Sequence, residues 1–365
     1  MANGDHSLTG SGQPRRVLIV RVGAMGDVLH AMPAVAALRQ AHPEWVIGWV
    51  VEPRWSPLVQ AADGVAVRGA VMPLVDRVYF AATRDWRRRP VSRETVEDIG
   101  ALRRELRGER FDLCVDMQGS IRSALIGRMA GATRFVGSAE PREGAARWFY
   151  GERVTMRAAH VVEQGCELLG GAVGEVLRPA RVALPVDARA EEACEVELGR
   201  LGLSGERFVL LAPTAGWGAK EWPAERFGAV AAELGRRGFR AVVNAASEDN
   251  TTAREVVRAS GGVAAVFPSD LSQLIALVRR ASLVIAGDTG PLHLAAALER
   301  PVVGLFGPTD PARNGPYMAG PDKDRARVLR HGPERRDHRR LAEPEAGLLE
   351  ITVDEVVRAA VELLG

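Results

Sequence analysis

The sequence predicts an α/β protein of two doubly wound domains, each a parallel sheet with helices on both faces. Three observations predict it. Short apolar runs alternate with helical periodicity along the chain, the pattern of parallel strands joined by crossover helices. The alternation comes as two series, separated by the proline-bearing stretch LRPARVALPVDARAEEA at 177–193. The length, 365 residues, suffices for two domains of ordinary size.

In the first series the strands are VLIVRV (17–22), VIGWVV (46–51), RVYFA (77–81), DLCVDM (112–117) and RFVG (134–137). Helical patterns fall between them at about 27–41, 94–107 and 120–130. In the second series the strands are FVLLAP (208–213), RAVVNA (240–245), GVAAVF (262–267), SLVIAG (282–287) and PVVGLFG (301–307). Helices are expected at 223–237, 250–259, 270–280 and 290–299. This organisation places a tail at 1–14, a first domain at 15–180 and a second at 181–350. The prolines at 177–190 mark the hinge. The apolar spacing of VDEVVRAAVELLG (353–365) predicts a last helix, within 351–365, that packs back toward the first domain.

Composition removes several classes of function. Hydrophobic residues are 47% and charged residues 26%, ordinary for a globular protein. No apolar run reaches the ~18 residues of a membrane-spanning helix, and the polar start MANGDHSLTGSGQPRR lacks a signal peptide's apolar core. A cytoplasmic location is therefore expected. Three scattered cysteines, Cys114, Cys166 and Cys194, suit neither a disulfide framework nor a zinc site. A net charge of +2 gives no reason to expect nucleic acid. Of 48 basic residues only two are lysine, Lys220 and Lys323, so a lysine that survives here reads as chosen for its chemistry.

Four strand-to-helix turns carry chemistry, because ligands of doubly wound folds bind at the carboxyl ends of the strands. In VGAMGD the dinucleotide pattern G-x-G-x-x-G is missing; only Gly23 and Gly26 are present. Asp27 sits in the first turn of the helix. There it either complements the helix dipole or serves as a carboxylate base for a substrate hydroxyl. His30, three residues on, hydrogen-bonds to Asp27 or lines the cleft. In LLAPTAGWGAKEWPAERF (210–227), Thr214, Gly216, Gly218 and Lys220 make a small-residue loop with a hydroxyl and an ammonium suited to phosphate. In VIAGDTGPLHLAAALERP, Asp288, Thr289 and Gly290 form a turn and His293 follows one turn into the helix. DMQGSIRSA (116–124) brings Asp116, Gln118, Gly119 and Arg122 to a fourth turn, and RDWRRRP (84–90) gathers four arginines about Trp86. The charge-rich RHGPERRDHRR (330–340) and Asp322-Lys323-Asp324 read as solvated.

Taken together and in this order, VLIVRVGAMGDVLHAMPAVAALR, FDLCVDMQGSIRSALIGRMAG, APTAGWGAKEWPAERF and GDTGPLHLAAALERPVVGLFGPTDP resemble the heptosyltransferases of lipopolysaccharide inner-core synthesis, glycosyltransferase family 9. The resemblance covers about residues 15–315. REGAARWFYGERV (142–154) and RDWRRRP look closest to the heptosyltransferase I branch, which adds the first heptose to Kdo. The resemblance implies a GT-B fold, two Rossmann-like domains facing a central cleft, with the donor on the second domain and the acceptor on the first. It implies ADP-heptose as donor, a Kdo-lipid A type acceptor met at the cytoplasmic face of the inner membrane, inversion at the anomeric carbon, and neither metal nor cofactor. By the same resemblance Asp27 is the general base. Thr214, Lys220, Asp288, Thr289, Gly290 and His293 hold the donor, and Gly26, Arg84, Arg87, Arg88, Gln118 and Arg122 meet the acceptor. At 244–248 the family's Gly-Ala-Glu type turn is replaced by Asn-Ala-Ala-Ser-Glu, leaving Glu248 as the candidate ribose ligand. Two other readings stay open: a heptosyltransferase with another acceptor, or a nucleotide-binding relative without catalysis.

Overall fold

A computed structural model describes residues 15–62, 68–320, 323–332 and 342–365, apart from the side chain of Lys323. The tail 1–14, Asp322 and most of the 330–340 stretch lie outside the described residues. The first sheet comprises β1 (Arg16–Val20), β2 (Val46–Val51), β3 (Arg77–Phe80), β4 (Leu113–Asp116), β5 (Arg134–Ser138) and β6 (Glu152–Val154). The second comprises β7 (Phe208–Ala212), β8 (Arg240–Ala245), β9 (Ala264–Pro268), β10 (Leu283–Gly287), β11 (Val302–Phe306) and β12 (Ala326–Arg330).

Their spatial orders are β3-β2-β1-β4-β5-β6 and β12-β11-β10-β7-β8-β9, parallel throughout. Each is the doubly wound order 3-2-1-4-5-6, so each sheet has a switch point between its first and fourth strands, β1/β4 and β7/β10. The central strands are buried on both faces, which is why they read as continuous apolar runs rather than alternating ones.

Thirteen described helices flank the sheets. The first lobe carries α1 (Met25–Ala41), α2 (Thr83–Arg88), α3 (Arg93–Gly108), α4 (Ile121–Ala130) and α5 (Val161–Val173). The second carries α6 (Ala188–Arg200), α7 (Ala224–Arg236), α8 (Thr251–Ala259), α9 (Leu271–Arg280), α10 (Gly290–Ala297), α11 (Pro311–Asn314), α12 (Ala346–Glu350) and α13 (Val353–Leu364). Their starts are chemically marked. Ser120, Asp270 and Thr352 each accept a first-turn amide, with Ser123, Gln273 and Glu355 closing the capping box.

Helix α1 is apolar nearly all round, and the structure shows why: it packs on α5 and α10 as well as on its own sheet. A helix of the first lobe thus touches a helix of the second, and one cluster of buried residues runs from Val17 and Met32 through Leu292 to Phe306.

Several elements differ from expectation. Helix α13 does not pack toward the first lobe. Val356, Val357, Ala360 and Leu364 are buried in the second lobe's outer core, against α7 and strands β10 to β12. Trp222 anchors the approach by donating its indole N–H to the Ile351 carbonyl at 3.2 Å. An amphipathic stripe states that a face must be covered, and that sheet face needed a cover. The expected linker is extended only to Asp187, whose carboxylate caps α6. Strands β6 and β12, and helices α2, α5, α6, α11 and α12, extend the predicted set.

Candidate active site

The turn after β1 looks like an anion site, yet its amides are already occupied. Gln118 Oε1 accepts from Val22 N at 3.1 Å and Gly23 N at 3.2 Å, and Asp27 Oδ2 accepts from Ala24 N at 3.1 Å. Two side chains thus take the place a phosphate would fill. Gln118 is held for this by its own turn, where the buried Asp116 carboxylate accepts from Gln118 N, Gly119 N, Ser123 Oγ and Tyr150 Oη at 2.8–3.1 Å. Burial raises the Asp116 carboxyl above its ordinary range despite these donors.

Asp27 keeps free valence on its other side. Its Oδ1 lies 3.0 Å from an Arg21 guanidinium nitrogen, and its side chain is 35% exposed. A carboxylate offers about four acceptor sites, so two remain for an incoming hydroxyl. Arg21 is a functional residue the motifs did not reveal. It also bonds the carbonyls of Asp27 and Met117, so it is fixed as a brace.

Opposite stands the turn after β10. Asp288 is buried and bonded on every side. Its Oδ2 meets Lys220 Nζ, accepts from Thr309 Oγ1 at 2.6 Å, and its Oδ1 lies 3.0 Å from His293 Nε2. Burial alone would raise its pKa, but the His293 bond and charge and the Lys220 ammonium outweigh that and hold it below the usual carboxylate range. Lys220 Nζ also lies 4.7 Å from the centre of the Trp217 ring. Thr214, half-buried, stands at the start of the same loop, and Thr289 Oγ1 is turned to the Gly287 carbonyl. In the first turn of α10, Pro291 has no N–H and His293 N is bonded to the Thr289 carbonyl, so the amides of Gly290 and Leu292 are the ones left for an anion.

The two turns meet. A Cβ on Gly26 would lie 2.9 Å from His293 Cδ2, and one on Gly290 would lie 2.3 Å from Met25 Sδ. Only hydrogen at these positions permits the N-termini of α1 and α10 to approach so closely. Gly26 therefore serves the contact between the lobes. His30 does not reach Asp27; its Nε2 lies 3.1 Å from His293 Nδ1 across the interface. Helix geometry explains the difference: the i+3 side chain points into the cleft wall while Asp27 turns back to its own cap.

The remaining predicted residues are not in this cluster. Arg84, Arg87 and Arg88 lie exposed on α2 at the carboxyl end of β3, and Arg122 is exposed in the first turn of α4. Glu248, beyond β8, faces the Arg200 guanidinium at 2.9 Å. Thr309 was overlooked although it lies within the quoted GPTDP segment, where no local pattern shows that its hydroxyl turns back to Asp288. Among the described residues no cluster of three or more His, Cys, Asp or Glu is arranged for a metal ion, and no helix is long and apolar enough to cross a membrane.

Comparison with known proteins shows the family. Residues 99–341 match the family model of glycosyltransferase family 9 (heptosyltransferase). The chain is 30% identical over 316 residues to lipopolysaccharide heptosyltransferase 1 of Escherichia coli K12, covering 83% of this chain and 91% of the relative. It is 29% identical over 308 residues to the Pseudomonas aeruginosa protein of the same name, covering 83% and 81%. Among solved structures, the E. coli heptosyltransferase WaaC with ADP superposes with a TM-score of 0.75 at 26% identity, over 95% of this chain and 99% of that one. The chain is a member of glycosyltransferase family 9, the heptosyltransferases, with two Rossmann-like domains in the GT-B arrangement.

Proposed function

We propose that this protein transfers L-glycero-D-manno-heptose from ADP-heptose to a Kdo-containing lipopolysaccharide inner-core acceptor, with inversion at the anomeric carbon. One observation carries the reading: the turn that bears a part-exposed carboxylate on one lobe meets, at Gly26–His293 and Met25–Gly290, the turn that bears the buried Asp288, paired with Lys220, on the other. The relatives named heptosyltransferase 1, and the WaaC structures holding ADP and ADP-2-deoxy-2-fluoro heptose, support the choice of donor.

Asp27 accepts the proton of the acceptor hydroxyl as that oxygen bonds to the anomeric carbon. The bond from that carbon to the diphosphate breaks, and ADP leaves with the electron pair. Negative charge grows on the leaving oxygen. Lys220 and the first amides of α10 are the positive groups facing it, so the reading requires no metal. Asp288 and His293 keep Lys220 in place and, with Thr214 and Thr289, contact the nucleotide sugar. Closing the lobes excludes water and suppresses donor hydrolysis. The exposed Arg84, Arg87, Arg88 and Arg122 meet the acidic Kdo and lipid phosphates, with the protein resting on the cytoplasmic face of the inner membrane. Glu248 takes the adenosine ribose once released from Arg200.

The test is incubation with ADP-heptose and a Kdo-lipid A acceptor, read by mass spectrometry. The expected result is one added heptose and ADP released in step with it. ADP released equally without acceptor, or no product, overturns the reading. Transfer only to an already heptosylated acceptor moves it to the second core heptose.

A further inference from the structure

Three histidines from the two lobes meet behind the Asp27 turn. His30 lies on α1, one turn beyond Asp27. Its Nε2 is 3.1 Å from His293 Nδ1, with the rings edge to face at 4.3 Å between centroids. His293 continues the chain, its Nε2 lying 3.0 Å from Asp288 Oδ1. His160, the N-cap of α5, stands edge-on to His30 at 6.0 Å. It accepts from Val162 N at 3.2 Å through Nδ1, so its Nε2–H donates to the Gly315 carbonyl of the other lobe at 3.1 Å.

The protons can be counted along this chain. The Asp288 carboxylate is ionised and only accepts, so His293 must carry its proton on Nε2. Its other nitrogen, Nδ1, lies buried at the lobe interface with the residue 6% exposed, and needs a partner there. His30 is the group that faces it. Burial, with His293, His160 and Arg21 nearby, pushes the His30 imidazolium well down, so His30 is neutral near pH 7 with a single proton to give. One proton is shared between His30 Nε2 and His293 Nδ1, 3.1 Å apart.

We infer that His30 is a positioning residue of the donor pocket: from the first lobe its Nε2 bonds His293 Nδ1 and fixes the ring orientation that His293 presents to Asp288. The inference rests on the reading of the 288–293 turn as the donor site. It has a consequence for closure. The helix that carries the base also carries the bonding partner that completes the opposite pocket, so Asp288, His293 and Lys220 reach their working arrangement only when the lobes are together. An apolar residue of the same size would fill the space but leave Nδ1 of His293 buried without a partner.

The test pairs two substitutions with one spectroscopic measurement. H30F keeps a ring of similar size and removes the hydrogen-bonding nitrogen, whereas H30Q restores an amide, able to donate or accept, near the place of Nε2. The protein has seven histidines, so two-bond 1H–15N spectra can resolve their tautomers. In the wild-type protein His293 is expected to carry a proton on Nε2. H30F should weaken ADP binding roughly tenfold in calorimetry, with the His293 Nε2 proton no longer held on Asp288, and H30Q should recover most of the affinity. Wild-type protein with His293 protonated on Nδ1 alone overturns the inference without any variant. So does H30F binding ADP like wild type. A wild-type protein that binds no ADP overturns instead the donor-site reading, so the two failures are told apart.

Discussion

Gly26→Ala tests the contact between the lobes, and its effects on folding and on function should have opposite signs. Gly26 lies in the first turn of α1, where alanine is the better helix former by about 0.5–1 kcal/mol. The new methyl, however, would sit 2.9 Å from His293 Cδ2. Carbon atoms rest at 3.5 Å or more, so α10 must retreat by roughly 0.6 Å. The imidazole cannot swing aside, since both its nitrogens are engaged, at 3.1 Å to His30 and 3.0 Å to Asp288. A retreat of that size stretches the His30–His293 bond to about 3.7 Å, beyond hydrogen-bond range. Overpacking of this kind costs about 1–3 kcal/mol, here charged to the closed arrangement. ADP affinity and transfer should fall between about 5-fold and 150-fold. Thermal melting by circular dichroism, ADP calorimetry and the transfer rate read the three quantities together. A variant that melts at or above the wild-type temperature, with affinity and turnover within twofold of wild type, would refute the close approach of α1 and α10.

Three further outcomes follow from the same geometry. Asp288→Asn removes the countercharge of a lysine whose side chain is only 11% exposed, and should destabilise the second lobe by about 3 kcal/mol in urea unfolding; an unchanged midpoint would contradict a buried pair. Gln118→Ala frees the Val22 and Gly23 amides, and should lower turnover more than ADP affinity, because the turn it loosens carries Asp27 and not the donor cluster; an equal loss of both would contradict this. Burial lowers the pKa of His30 and His160 in the folded protein, so below the unfolded value of ~6.5 the unfolded chain binds more protons. Stability should therefore be intact above about pH 6.5 and be lost as pH falls below it, by at most ~1.4 kcal/mol per pH unit for each histidine. Denaturant melts from pH 7 to 5 check this, and H30Q should flatten the slope.

The parallel sheets were legible because their central strands are buried on both faces, so Val17–Val20 and Leu283–Gly287 are unbroken apolar runs between turn residues. The elements that escaped are those without such a signal. Strand β6 has three residues, β12 mixes arginine into a half-buried edge, and α6 begins inside what reads as a proline-marked linker. The direction in which α13 packs was not legible either, since a stripe of valine and leucine names no partner.

At the site, the turns were readable from glycine, aspartate and strand ends, but their convergence was not. Nothing local relates Gly26 to His293 or Met25 to Gly290, hundreds of residues apart; the fold alone brings them within a van der Waals contact. The residues missed, Arg21 and Thr309, act by reaching back to a carboxylate from a neighbouring loop. The sequence shows their type but not their aim.

The most direct measurement is heptose transfer by Asp27→Asn, with ADP affinity determined on the same protein. Asparagine preserves the size of the side chain and cannot take up a proton. The account predicts ADP binding within about twofold of wild type and turnover lower by at least ~100-fold, the usual worth of a general base. Turnover close to wild type would contradict it, whatever the family to which the chain belongs.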